Sequence, residues 1–238
     1  MRLHRVDLNE VDYGTAVTWM AGWAEERRAG TAPDRLFLLS HPPVITYGRR
    51  TPPGDLPEDL SAIPVVEVDR GGNATYHGPG QLVGYLVMDL REWGPVDVIR
   101  WLENGLIDAL AGLGFTTERR DTPPGSPSLV GVWTPDGRKL VSIGMRIRGG
   151  VTTHGFALNI DPDLSVFDRF VACSLDDVAM TSLRRLADEQ GLRMPTEAEI
   201  RDAITAELTA GAAAREQRSP AHEQRSPVGE QRSPARAQ

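Results

Sequence analysis

Apolar residues fall into short periodic runs, and the period changes along the chain. In "DYGTAVTWMAGWAEERRAG" a spacing of three and four residues gathers Tyr13, Ala16, Val17, Met20, Trp23 and Ala24 on one face, which predicts a helix. "RLFLLSH" and "VITYG" read as strands separated by Pro42-Pro43, and "PVVEVDR" as another leading into a glycine-rich stretch. "QLVGYLVMDL" is a long apolar strand. In "PVDVIRWLENGLIDALAGLG" the helical period returns, with Val98, Trp101, Leu102, Leu106, Ala109, Leu110 and Leu113 on one face and Gly112 and Gly114 at the end. "SLVGVWTPDGRKLVSIGMRIR" predicts two strands joined at Pro135-Asp136-Gly137, and "THGFALNI" a third. Thr196 and Glu199 make a capping-box pattern for a last helix near Glu197. Hairpins beside helices, without a regular βαβ rhythm, predict an α+β (mixed α/β) fold with a mostly antiparallel or mixed sheet flanked by helices.

The periodicity stops at the C-terminus. Three copies of a seven-residue unit begin at Glu216, Glu223 and Glu230 ("EQRSPAH", "EQRSPVG", "EQRSPAR"). A coiled coil needs apolar a and d positions and no proline, and these copies have Pro and no such positions. The expected organisation is one domain over residues 1–214 and a disordered tail over 215–238. The tail holds five Arg and three Glu, so its +2 leaves the body at −9 out of a total of −7. An acidic body argues against general nucleic-acid binding. The start, "MRLHRVDLNEVDYG", lacks the apolar core of a signal peptide, and no run approaches the ~18 residues of a membrane span. A single cysteine makes no internal disulfide. The expectation is a cytoplasmic protein away from the membrane.

Charge chemistry singles out one position. Of 26 basic residues, 25 are arginine, and Lys139 is the only lysine. Arginine keeps its proton in proteins, whereas a desolvated lysine can release it. Strict alternation from Arg138 to Arg148 groups Lys139 with Val141, Ile143, Met145 and Ile147, predicting a buried lysine on the core face of a strand. A snorkelling lysine at a strand end is the alternative. Cys173 lies in "VACSLDDVAMTSL", after the apolar run "SVFDRFV", where a loop or helix start would favour a thiolate. Its proton acceptor would be Lys139, His41, His77 or His154. The glycine-rich "DRGGNATYHGPGQLVGY" fits neither the dinucleotide fingerprint nor the P-loop. Gly71, Gly72, Gly78 and Gly80 would allow close backbone approach to a ligand, or would make a tight multiple turn.

Together "HPPVITYGRR", "DRGGNATYHGPGQLVGY", "RKLVSIGMRI", "THGFALN" and the downstream Cys173 resemble the octanoyl-carrier-protein:protein octanoyltransferases, in order from about Leu36 to Ser182. The resemblance implies the fold of the biotin and lipoate protein ligases and the first step of endogenous protein lipoylation. In that step an octanoyl group moves from octanoyl-acyl carrier protein to a lysine of a lipoyl domain. It implies acceptors on 2-oxoacid dehydrogenase E2 subunits and the glycine cleavage H protein, a monomer, and neither cofactor nor metal. By the resemblance Cys173 carries the acyl thioester and Lys139 is its acid/base partner, favouring the thiolate. Arg70, Gly71, Gly72, Asn73, Ala74, Thr75, Tyr76 and His77 would line the acyl site, together with Ser142, Ile143, Gly144, Gly155, Phe156 and Ala157. One departure stands out: Ala172-Cys173-Ser174 occupies the place of a usual Pro-Cys-Gly.

Acyl transfer through a thioester needs a thiolate, a proton relay and oxyanion donors, for which backbone N–H groups of the glycine-rich segments are candidates. The rival readings are an ATP-dependent lipoate ligase on the same fold, a Cys–His thioester hydrolase using His77 or His154, and a non-catalytic carrier-binding module.

Overall fold

The computed structural model describes residues 3–57, 63–90, 93–175 and 178–218. Among these described residues, nine strands and four α-helices make a six-stranded sheet with helices on both faces and a separate three-stranded sheet. In chain order these are β1 (His4–Glu10), α1 (Tyr13–Arg28), β2 (Arg35–Ser40), β3 (Val44–Gly48), β4 (Val65–Val68), β5 (Thr75–His77) and β6 (Gln81–Val87). They continue as α2 (Pro95–Gly112), β7 (Gly131–Trp133), β8 (Lys139–Arg148), β9 (Val151–Asn159), α3 (Leu183–Gln190) and α4 (Glu197–Arg218). The large sheet runs β1-β2-β6-β9-β8-β7 and the small one β4-β3-β5. Each contains one parallel pair, β1 with β2 and β3 with β4, so both are mixed.

Alternation along the central strands sorts their side chains between two layers. Leu36, Leu38, Leu82, Leu86, Phe156 and Leu158 face α2, α3 and α4 in the main core. Phe37, Leu39, Val83, Tyr85, Val87 and Ala157 face α1. Completely burying each such aliphatic side chain contributes roughly 1.5–3 kcal/mol, so the two layers account for the register. The small sheet packs Ile45 and Tyr76 on Val166, Phe167 and Phe170.

The helix ends follow local chemistry. Asp12 caps α1 by accepting from Thr15 N at 2.9 Å. Thr196 and Glu199 form the expected reciprocal box, with Thr196 N donating to Glu199 at 2.7 Å and Glu199 N to Thr196 Oγ1 at 3.3 Å. One helix face differs from expectation. On α1, Tyr13, Ala16, Met20 and Ala24 are buried, but Val17 stays exposed and Trp23 is half-buried. Three elements lie outside those the pattern predicts: β1, an edge strand with only Val6 and Leu8 packed inward, the three-residue β5 within the glycine-rich stretch, and α3, eight residues between a Ser182 cap and Gly191. Helix α4 continues to Arg218, past the expected boundary at 214, and the repeats from residue 219 onward lie outside the described residues.

Candidate active site

Lys139 opens β8 and is buried, 1% exposed. Its burial agrees with the alternation argument, but the face does not. In the β7–β8 register Val132 opposes Val141 and Trp133 opposes Lys139, which leaves Leu140 as an extra residue. This bulge puts Leu140 and Val141 together in the helix-packed core and turns Lys139 to the opposite side, the side of Ser142 and Gly144. A one-residue slip exchanges faces, so a bulge re-aims the side chain that precedes it. Both backbone groups of Lys139 are paired, the N–H to Ala179 O at 2.9 Å and the carbonyl from Thr181 N at 3.0 Å. The side chain runs past Gly131, where an added Cβ would lie 2.9 Å from Lys139 Cε and 2.4 Å from Val141 O. Its ammonium sits 5.0 Å from the centroid of the Trp133 ring. Gly131 N in turn donates to the buried Glu103 of α2 at 3.0 Å.

Cys173 lies in a three-residue 3-10 turn, Ala172–Ser174, and not at the start of an α-helix; the next one begins at Leu183. Its backbone is left-handed, φ 59 and ψ 19, and Ser174 follows at φ 54. Such angles cost non-glycine residues roughly 1–2 kcal/mol each unless surrounding contacts hold them. Here the contacts exist. Cys173 N donates to Ala74 O at 2.8 Å, Asn73 Nδ2 donates to Ser174 Oγ at 2.7 Å, and Ser174 Oγ donates to the Asp55 carboxylate. A glycine at 174 would adopt these angles without help, so the serine hydroxyl does by hydrogen bonding what glycine does by lacking a Cβ.

The two elements meet side chain to side chain: Lys139 Nζ lies 3.4 Å from Cys173 Sγ, within hydrogen-bonding reach of sulfur. They open into a cavity of about 70 Å³ on the α1 side of the large sheet. Of the residues expected there, Arg70, Gly72, Asn73, Thr75, His77, Ser142, Ile143, Gly144, Gly155, Phe156 and Ala157 line it. Gly71, Ala74 and Tyr76 do not. Gly71 donates to Met145 O at 3.0 Å, Ala74 is buried beneath the cysteine turn, and Tyr76 packs in the small-sheet core. An added Cβ at Gly144 would sit 2.8 Å from Gly71 O, so these two glycines let β8 and the glycine-rich segment touch. Sequence reasoning missed Tyr13, Val83, Tyr85, Ser128 and Val130, which complete the lining. Nothing local marks them, because they come from α1, β6 and the stretch before β7.

Arg70 is less a ligand group than a pin. Its guanidinium donates to Gly71 O, Asn73 O, Thr46 O and Thr46 Oγ1 at 2.8–3.1 Å, locking the glycine-rich segment onto β3. Its charge and deep burial act on the histidines. Burial first, then the Arg70 and Arg146 charges, lower the His154 pKa to about 4. His77 is pushed well below its usual value by burial, then by His41, Arg70 and His154. Both rings are therefore neutral near pH 7. His41, the third candidate acceptor, is committed elsewhere, with its ring nitrogens 2.6 Å from Val11 O and from Tyr85 Oη. Among the described residues the partner of Cys173 Sγ is Lys139, and no three His, Cys, Asp or Glu side chains converge as a metal-binding set.

The chain that forms this cavity has relatives. The sequence pattern of the "Lipoyl protein ligase A/B catalytic domain" matches residues 12–209. An octanoyltransferase of Frankia casuarinae is 48% identical over 185 residues, covering 77% of this chain and 83% of that one. An octanoyltransferase of Mycolicibacterium smegmatis is 43% identical over 207 residues, covering 84% of each. Among solved structures, lipoate-protein ligase A bound with ATP superposes with a TM-score of 0.65 at 15% identity, covering 89% of this chain and 85% of that one. The biotin protein ligase of Aquifex aeolicus has a related fold.

Proposed function

Because this chain belongs to the lipoyl protein ligase A/B catalytic family, we propose that it works as an octanoyltransferase through a thioester on Cys173, with Lys139 as the proton carrier. It is an acyltransferase of protein lipoylation, taking octanoyl groups from acyl carrier protein to lipoyl domains. In the finer reading the acceptors are the lipoyl domains of 2-oxoacid dehydrogenase E2 subunits and the glycine cleavage H protein, and the enzyme acts as a cytoplasmic monomer. No helix among the described residues is long and apolar enough to cross a membrane.

The observation that carries the mechanism is the 3.4 Å contact between Lys139 Nζ and Cys173 Sγ. In the first half-reaction the Cys173 proton passes to Lys139 Nζ and the thiolate attacks the donor thioester carbonyl. The carrier's C–S bond breaks, the acyl group stays on Cys173, and Lys139 returns the proton to the departing thiol. In the second half the acceptor's amine attacks the Cys173 thioester and gives a proton to Lys139. Cys173 leaves as the thiolate and an amide remains. Every proton passes through one group that must exist both charged and neutral, a cycle guanidinium cannot perform. Cys173 N–H is bonded to Ala74 O and so is already engaged, which leaves the oxyanion donor to another group of the cavity.

An ATP-dependent ligase would activate a free acid and need no thiol, and a Cys–His hydrolase would pair Cys173 with imidazole. The Lys139 contact favours neither. Intact mass after mixing with octanoyl-acyl carrier protein tests the reading. One octanoyl group, labile to hydroxylamine, is expected on the wild type and none on Cys173→Ala. Wild-type turnover by the folded alanine variant would sink the thioester mechanism.

A further inference from the structure

Two cavities share one partition. The inner one holds Cys173 and Lys139 and runs along β8 and β9. The outer one, about 370 Å³, lies between α1 and β4, walled by Val17, Met20, Val66 and Val68. Tyr13 and His154 line both. The partition lies farther along the β8–β9 ladder than the Lys139 end, within the cavity that also holds Cys173. Ser142 pairs with Ala157 near the Lys139 end of β8, and Met145 pairs with His154. Along β8 those three residue steps rise ~10 Å, the order of an extended octanoyl chain laid beside the strand.

His154 is built unlike the rest of its strand. Its φ is 60 in the middle of β9, a left-handed conformation among extended neighbours. The ring is 8% exposed, and neither nitrogen has a hydrogen-bond partner among the described residues. Burial keeps it uncharged, with a pKa of about 4. Turning this ring aside breaks no hydrogen bond and moves no charge. Beyond it, Val17 and Val66 remain more than a third exposed, apolar surface that neither core absorbs.

We propose that His154, backed by Tyr13, is the end wall that sets acyl-chain length, and that the groove behind it is a subsite for the tail of a longer saturated acyl chain. The proposal rests on the octanoyltransfer reading and specifies how that same cavity selects its substrate. An octanoyl chain ends against the imidazole. A dodecanoyl chain has to pass it, and then its last carbons lie among Val17, Met20, Val66 and Val68.

The test compares octanoyl- with dodecanoyl-acyl carrier protein as donors, reading Cys173 acylation by intact mass and kcat/KM for transfer to a lipoyl domain. His154→Gly removes the ring and suits a left-handed backbone. Since a methylene accepted or refused changes kcat/KM by about tenfold or more, the dodecanoyl-to-octanoyl ratio should rise at least ~10-fold. His154→Asn, also tolerant of this backbone, should raise it less and serves if the glycine variant does not fold. Adding Val66→Trp to His154→Gly should cancel the gain by filling the groove. An unchanged ratio in a folded His154 variant, or a gain that survives Val66→Trp, overturns the subsite. A wild type that takes no octanoyl on Cys173 instead overturns the functional reading.

Discussion

The two halves of the proposed catalytic pair are held by opposite means. Lys139 belongs to the large sheet. Its backbone is paired on both sides, its face is fixed by a bulge, and its side chain is threaded between Gly131 and Trp133. Cys173 sits outside both sheets on a 3-10 turn, in backbone angles that cost energy, held by one main-chain bond and a serine hydroxyl. The lysine is placed by packing and the cysteine by hydrogen bonds around a strained turn. Packing tolerates little change in volume, while a turn responds first to a change in backbone preference. Each half should therefore fail in its own way.

The largest effect is expected on the sheet side, in the chemistry of Lys139. Lys139→Arg keeps a cation beside Cys173, so iodoacetamide labelling at pH 7 should persist while octanoyl transfer falls ~10²–10⁴-fold, the usual cost of losing a general acid/base. Lys139→Met should lose labelling as well. Turnover within a few-fold of wild type by a folded arginine variant would reduce Lys139 to a counter-ion.

Next is the channel that aims the lysine. Gly131 has φ 145, and a Cβ there meets both Val141 O and Lys139 Cε. Gly131→Ala should destabilise by roughly 2–3 kcal/mol and lower kcat more than KM. Chemical denaturation and steady-state rates measure the two. Normal kcat in this variant would mean that the bulge, and not the channel, aims the side chain.

Acid should weaken the sheet-borne wall. His154 has a folded pKa of about 4, below its usual 6.5, so the unfolded chain binds the proton first. Stability is complete above about 6.5 and is lost as the pH falls from there toward 4, with roughly 2 kcal/mol gone from His154 by pH 5. His77, shifted the same way, adds to the loss. His154→Asn should flatten the dependence of melting temperature on pH between 7 and 5, and an unaltered slope would show that His154 is not buried neutral.

The smallest effect is expected on the turn. Ser174→Ala removes the bonds to Asn73 and Asp55 but keeps a left-handed Cβ, whereas Ser174→Gly removes the bonds and the strain together. Glycine should therefore exceed alanine by about 1 kcal/mol in stability, and in the rate of Cys173 alkylation. Equal behaviour of the two variants would erase the contrast between a packed lysine and a clamped cysteine.

Much of this was readable before any fold was known. One lysine among 25 arginines, one cysteine, the glycine-rich string and the order of helices and strands are properties of composition and local period. They suffice for the α+β class and for singling out Cys173 and Lys139 as candidates; the ligase-like fold and their roles are implied by the family resemblance. Tertiary structure alone decided how those residues are used. Alternation placed Lys139 with Val141 on the core face, and one extra residue at Leu140 reversed it, because bulges depend on the partner strand. Arg70 became a pin and His41 a structural ring because Thr46, Val11 and Tyr85 come to meet them. Tyr13 entered the cavity wall from α1, and Ser174 found Asp55 across 119 positions of chain. Local period reports which residues are apolar and how often; it carries no information about which distant segment will supply a hydrogen bond or close a wall.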